Sequence, residues 1–206
     1  MTTTTPLYRP SRSDLAAMWT FLAAGAVIAV AAVVSAVLRI VEVLPNRDVQ
    51  VLAEFSGTAA EAPIGPGGAP LPVILDRASI TAETLPTFSL VSLVAEQVVA
   101  ATTVIVVITC LVRLGWSVMR GEVFSRRSTR LVTTAGFTGL FGYAAVPFLA
   151  NMAANGAFAE ISDNTFDNVV MAVELAPFLL LAFIAALATV VFTIGERMRR
   201  DTEGLV

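Results

Sequence analysis

The stretch "LAAMWTFLAAGAVIAVAAVVSAVL" (Leu15–Leu38) contains no charged residue and is long enough to cross a bilayer as a helix. About 20 consecutive apolar residues suffice for that crossing. The run is about twice as long as the apolar core of a secretory signal peptide, so it reads as a span. Lipid cannot satisfy open backbone groups, so an apolar segment of this length must close its hydrogen bonds internally, as a helix does. The period-2 alternation of a membrane β-barrel is missing.

Working outward, three more apolar runs of that kind follow. The expected organisation is an N-terminal segment at 1–14, helix 1 at 15–43, an outer loop at 44–87 and helix 2 at 88–112. A basic loop at 113–130, helix 3 at 131–150, a second outer loop at 151–168, helix 4 at 169–194 and a tail at 195–206 complete it. The fold class is thus an all-α integral membrane bundle of four transmembrane helices, with a small β-hairpin-like cap between helices 1 and 2. The cap is read from β-branched and apolar residues in "PNRDVQVLAEF" and "LPVILDRASITAETLP", which flank the breaker run "APIGPGGAPLP". A linker without fixed structure is the other reading of the same segment. The segment "NMAANGAFAEISDNTFDN" (151–168) reads as a short connection.

Arginines orient the spans. Arg9 and Arg12 precede the first, Arg113, Arg120, Arg126, Arg127 and Arg130 lie between the second and third, and Arg197, Arg199 and Arg200 follow the fourth. The other side holds only Arg39, Arg47 and Arg77. The positive-inside rule then places both termini and the middle loop in the cytoplasm.

The 206 residues are 56% hydrophobic and 14% charged, with a mean hydropathy of +0.80. Soluble domains carry about 25% charged residues. All 13 basic residues are arginine, and the net charge is -3. That balance offers no basic surface of the kind direct nucleic-acid binding needs. With no histidine in the chain, the commonest general base and metal ligand is missing. Cys110 is the only cysteine, which excludes an internal disulfide, and it lies in an apolar run. No phosphate loop, zinc-protease helix or nucleophile elbow occurs. The reading is therefore a non-enzyme with no cofactor, no metal and no catalytic residue.

Two features hold candidate function. Glu96, near the outer end of helix 2, and Glu174, expected at similar depth in helix 4, are carboxylates inside apolar runs. Arg39, at the outer end of helix 1, is their expected partner. An intramembrane charge is costly unless paired or hydrated. The three form either a network that fixes helix register or a site for a cation, a proton or a polar ligand. "FSLVSLVAE" and "FDNVVMAVE" share F-x-x-V-x-x-x-x-E, which either duplication or chance explains. The second feature is a cytoplasmic contact surface of Trp116, Arg120, Phe124, Arg126, Arg127, Arg130, Arg197 and Arg200. It anchors to lipid headgroups or docks a partner. Ser125 is placed to cap helix 3. Gly25, Ala29, Ala32 and Ala36, with Gly136, Gly139 and Gly142, mark close-packing faces, and Pro147 and Pro177 are expected to bend their helices.

"GEVFSRRSTRLVTTAG" (Gly121–Gly136) and "VFTIGERMRRDTEGLV" (Val191–Val206), with "NRDVQV" opening the outer loop, carry a resemblance. The chain resembles the bacterial membrane family called domain of unknown function 2975. The resemblance implies a four-helix protein of the bacterial inner membrane and supplies no catalytic residues. Relatives are often encoded beside small helix-turn-helix regulators, which makes a membrane sensor or regulator partner conceivable, although no residue of this sequence shows it. The leading expectation is a regulatory or accessory membrane protein that binds another protein or a second copy. The alternative is a small oligomeric transporter or channel that uses Glu96 and Glu174.

Overall fold

The computed structural model describes residues 11–166 and 173–203. Arg9, Asp167, the expected start of helix 4 at 169 and most of the second F-x-x-V motif lie outside them. Four helices and one hairpin follow in order: α1 (Arg12–Val43), β1 (Val49–Ala62), a 3-10 turn (Pro66–Gly68), β2 (Leu71–Ala82), α2 (Thr87–Met119), α3 (Arg126–Ile161) and α4 (Leu175–Glu203). All four helices are long and apolar enough to cross a membrane, which suggests a multi-pass membrane protein.

Local chemistry fixes the helix ends. Ser11 caps α1: its hydroxyl accepts from the Asp14 N–H (3.2 Å), and its own N–H donates to the Asp14 carboxylate (2.8 Å). This reciprocal pair is a capping box. Gly121, at φ 77, ends α2 in a Schellman motif. There the Glu122 N–H donates to the Ser117 carbonyl (3.0 Å) and the Gly121 N–H to that of Val118 (2.9 Å). Ser125 then caps α3 by accepting from the Ser128 N–H at 3.1 Å.

The helices outrun their apolar windows. α3 has 36 residues, or roughly 54 Å at 1.5 Å per residue. The stretch Asn151–Ile161, read from the sequence as part of a connection, is its last three turns. Alanine-rich and free of proline, that stretch has strong helix propensity although too little hydropathy to register as a span. At the other boundary, α4 begins at Leu175, so Glu174 precedes the helix instead of lying two turns inside it. Pro177 falls in the first turn of α4, where the absent N–H has no partner to lose and no bend is needed.

Two compact units divide the chain. The first takes residues 1–35, 100–143 and 175–206. Its helices meet at small residues. Gly136 faces Ala185, Gly142 faces Thr103 and Gly25 faces Ile108, each so closely that a Cβ would press on the neighbour. Gly139, expected on the same packing face, has open space beside it. Apolar side chains line the outside, Phe183 being 66% exposed and Phe137 70%. Such a surface suits lipid.

The second unit takes residues 36–99 and 144–174 and contains the hairpin. β1 and β2 pair antiparallel from Val49↔Ala82 to Ala62↔Leu71. Strands of 14 and 12 residues make the hairpin longer than the small cap expected. Its alternation is clean at the base, where Val49, Val51 and Ala53 are buried. They share a core with Val43, Ala82, Leu85, Leu93 and the α3 face of Ala153, Ala154, Ala157 and Phe158. Phe55, Phe158 and Phe166 pack edge to face or tilted, with centroids 5.0 to 6.2 Å apart. An isolated hairpin is marginal in water, and this core is what anchors it.

The hairpin's ends are joined by a side-chain clamp. Asn46 donates through Nδ2 to the Leu85 carbonyl (3.0 Å) and accepts at Oδ1 from the Leu85 N–H (2.8 Å). Asn46→Ala strips both bonds from a part-buried backbone. It should lower the unfolding free energy by about 1–3 kcal/mol, read as a lower melting temperature in detergent micelles. An unchanged melt would remove the clamp from the account of the fold.

Candidate functional site: a charged cavity at the hairpin base

Four elements of the hairpin unit enclose a cavity of about 290 Å³. From α1 comes Arg39, from α2 Leu93, Glu96 and Gln97, and from the hairpin Val51, Leu52, Glu54 and Arg77. α3 supplies Pro147, Ala150, Asn151 and Ala154. The spacings explain the gathering. Residues 93, 96 and 97, and residues 147, 150, 151 and 154, recur at the three- and four-residue steps of one helix face. Leu93 and Ala154 are core residues, so Glu96, Gln97 and Asn151 lie one turn beyond the apolar packing, at its polar edge.

Charges in the cavity are partly matched. Glu54 and Arg77 are cross-strand partners in register, and their side chains meet at 2.5 Å. The Arg39 guanidinium donates to the Gln50 carbonyl of β1 and pairs with Glu42, one turn along α1, at 2.9 Å. Glu96 is half-buried. It interacts electrostatically with Arg39, yet among the described residues it makes no ion pair in contact range.

Of the three residues expected to form an intramembrane network, the structure brings Arg39 and Glu96 to one cavity. Glu174 is exposed ahead of α4 and does not line it. Sequence reasoning missed Glu54 and Arg77. The only available signal was their placement on either side of the Pro/Gly centre. A bulge between Glu54 and Thr58 shifts the register there and hides the pairing from simple counting.

The expected cytoplasmic surface lies in the other unit. There Glu196, whose side chain is only 12% exposed, is the organising group. It pairs with Arg200 at 3.1 Å and with Arg126 at 3.5 Å, and it accepts from the Thr129 hydroxyl at 3.0 Å. Phe124 lies against Gly195, and its ring stands 5.7 Å from that of Phe192. Behind this clasp, the hydroxyls of Ser117 and Ser128 both reach the Glu122 carbonyl, at 3.1 and 3.0 Å. Trp116 is half-buried, whereas Arg120, Arg127, Arg130 and Arg197 are exposed. The structure therefore gathers Phe124, Arg126 and Arg200 about a glutamate that a count of basic residues passes over. Among the described residues, no three metal-ligating side chains cluster.

Glu196→Gln should destabilise the protein by about 1 kcal/mol, since both arginines are largely exposed and screened while the Thr129 bond is charge-assisted. Arg127→Gln should leave the melt within about 0.5 kcal/mol of the parent. Equal melts for the two variants would contradict the clasp. Comparisons of the chain with protein-family models, with curated proteins and with solved structures find no match.

Proposed function

We propose that the chain is a non-enzymatic, multi-pass protein of the bacterial cytoplasmic membrane that acts as a regulatory or accessory subunit by binding another protein. The observation that carries this reading is the Glu196 clasp. By tying the α2–α3 turn to the end of α4 through Arg126, Thr129 and Phe124, it holds two segments of the chain as one surface. Arg120, Arg127, Arg130 and Arg197 remain exposed on those segments. Exposed guanidiniums on an ordered scaffold suit a partner with acidic side chains, because arginine recognises carboxylates with directed, paired hydrogen bonds. The arginine distribution supports a cytoplasmic side for this surface and an outer side for the hairpin. The motif resemblance to domain of unknown function 2975 supports the same role.

The transporter alternative asks more of the fold. Glu96 and Glu174 would have to share a route, and only Glu96 lines the charged cavity. Hydroxyls that could extend a polar path are turned back on their own helix: Thr189 donates to the Ala185 carbonyl (2.8 Å) and Thr193 to that of Thr189 (2.7 Å). Equal ion flux into liposomes for wild type and for Glu96→Gln with Glu174→Gln would remove the carboxylate route.

Two measurements test the leading reading. In intact cells, a membrane-impermeant maleimide should label Ile64→Cys and leave Arg127→Cys unmodified until the membrane is permeabilised. In native membranes, a photo-cross-linker at position 127 or 197 should capture one defined protein, and Arg126→Glu with Arg200→Glu should abolish the adduct. Reversed labelling, or an adduct that survives the charge reversal, would sink the proposal.

A further inference from the structure

We propose that the cavity at the hairpin base binds a small zwitterion: a primary ammonium joined by a short linker to a carboxylate or phosphate. The proposal rests on the cavity alone and stands apart from the partner-binding surface. Its argument begins with the charges. Arg77 is matched by Glu54 and Arg39 by Glu42. Glu96 is the lining carboxylate left without a contact ion pair among the described residues. It is half-buried, and the Gln97 side chain and the electrostatic pull of Arg39 compensate its lost hydration without placing a cation in contact with it. A carboxylate in that position is completed by a hydrogen-bonding cation.

A bare metal ion is a poor candidate for that cation. Two guanidiniums share the lining and repel it, and no third acidic, cysteine or histidine side chain joins the two carboxylates among the described residues. A simple amine fills the Glu96 end and leaves the arginine end unused. Each guanidinium has five N–H donors. Arg39 uses some on Glu42 and the Gln50 carbonyl, and Arg77 on Glu54, so both keep donors for an oxyanion. The Glu42 pair links neighbouring turns of α1, and Glu42 is 61% exposed, so it is the kind of pair that exchanges readily for a better acceptor. A lone anion would meet the Glu54 and Glu96 carboxylates. A zwitterion alone satisfies both ends, and the remaining polar lining is the uncharged Gln97 and Asn151. The volume of about 290 Å³ lies at the small end of ligand sites and fits a molecule of amino-acid size. The side chain of Arg77 is 58% exposed, so the cavity is reachable from outside.

The same chemistry has two sources, a free metabolite and the ethanolamine headgroup of a phospholipid. The test uses the full chain in nanodiscs of phosphatidylcholine and phosphatidylglycerol, which contain no primary ammonium. Phosphoethanolamine and β-alanine are titrated calorimetrically beside ethanolamine and propionate, which each carry one of the two charges. Native mass spectrometry then scores retention of phosphatidylethanolamine over phosphatidylcholine from mixed bilayers. At least one zwitterion should bind about tenfold or more tightly than either single-charge probe. Glu96→Gln and Arg77→Gln should each cost about tenfold. Binding of the soluble probes identifies a metabolite site, and selective retention of the ethanolamine lipid without it identifies a headgroup site. Arg77→Gln, at an exposed strand position, keeps the test decisive where Glu96→Gln lowers the yield of folded protein. The proposal is overturned if neither assay detects binding, if ethanolamine alone binds as tightly as the zwitterions, or if both variants behave as wild type.

Discussion

The hairpin unit depends on how the chain leaves α1 and enters α2. Asn46 and Asp48 turn it with φ values of 51 and 48, a left-handed conformation that asparagine and aspartate tolerate better than other side chains. The Asn46 amide then takes both polar groups of Leu85, and the Asp48 N–H donates to the Glu83 carbonyl at 3.1 Å. These bonds set the first pair, Val49↔Ala82. A one-residue slip would send every strand side chain to the opposite face, burying Gln50 and Leu52 in place of Val49 and Val51. The same register puts Glu54 opposite Arg77, so the cavity inherits its cross-strand ion pair from a clamp at the foot of the hairpin.

Packing against that register is made possible by small side chains. Ala153, Ala154 and Ala157 are almost fully buried, and they let α3 come close to the strand. Gly156 is tighter still, since a Cβ there would collide with the Ser89 hydroxyl of α2. A larger residue at these positions would push the helices apart and lose the contacts that hold Val51 and Leu93. The cavity lies one turn beyond this packing on both α2 and α3, with Pro147 and Ala150 in its wall. Short side chains there leave space that longer ones would fill, and the adjacent charges keep it polar.

Hydropathy made the four helices legible, because lipid demands long uninterrupted apolar runs and few other structures supply them. The hairpin was legible in outline from its breaker run. Other features were hidden for separate physical reasons. The last turns of α3 are packed by alanines, which contribute little hydropathy, so they looked like a loop. Glu174 looked intramembrane because the apolar run starts before it, whereas the described helix starts at Leu175. The Glu54–Arg77 pair was masked by the bulge, where Phe55, Ser56 and Gly57 stand against Asp76 alone. Thr58 opposes Leu75 beyond it, and extending that pairing by simple alternation would have set Glu54 against Ser79. Arg39 and Glu96 were found because a charge in an apolar run is conspicuous. Glu196 was missed because a single acid among arginines is not.

The two units handle polarity in different ways, and the difference bears on where chemistry can occur. In the first, away from the Glu196 clasp, several hydroxyls are retired locally. Thr20 donates to the Ala16 carbonyl at 3.0 Å, as Thr189 and Thr193 do to carbonyls one turn back. A hydroxyl bonded within its own helix no longer seeks a partner across the interface. These helices are left to associate through glycine and alanine contacts, which suits an apolar solvent. In the hairpin unit, polar groups are instead brought together from four separate elements, where desolvation strengthens each remaining interaction. Recognition of a polar molecule needs the second arrangement: convergent groups from elements that a ligand can bridge, with at least one group, here Glu96, left incompletely paired. The helix contacts of the first unit and the charged cavity of the second are thus built from different residues, and changes in one need not disturb the other.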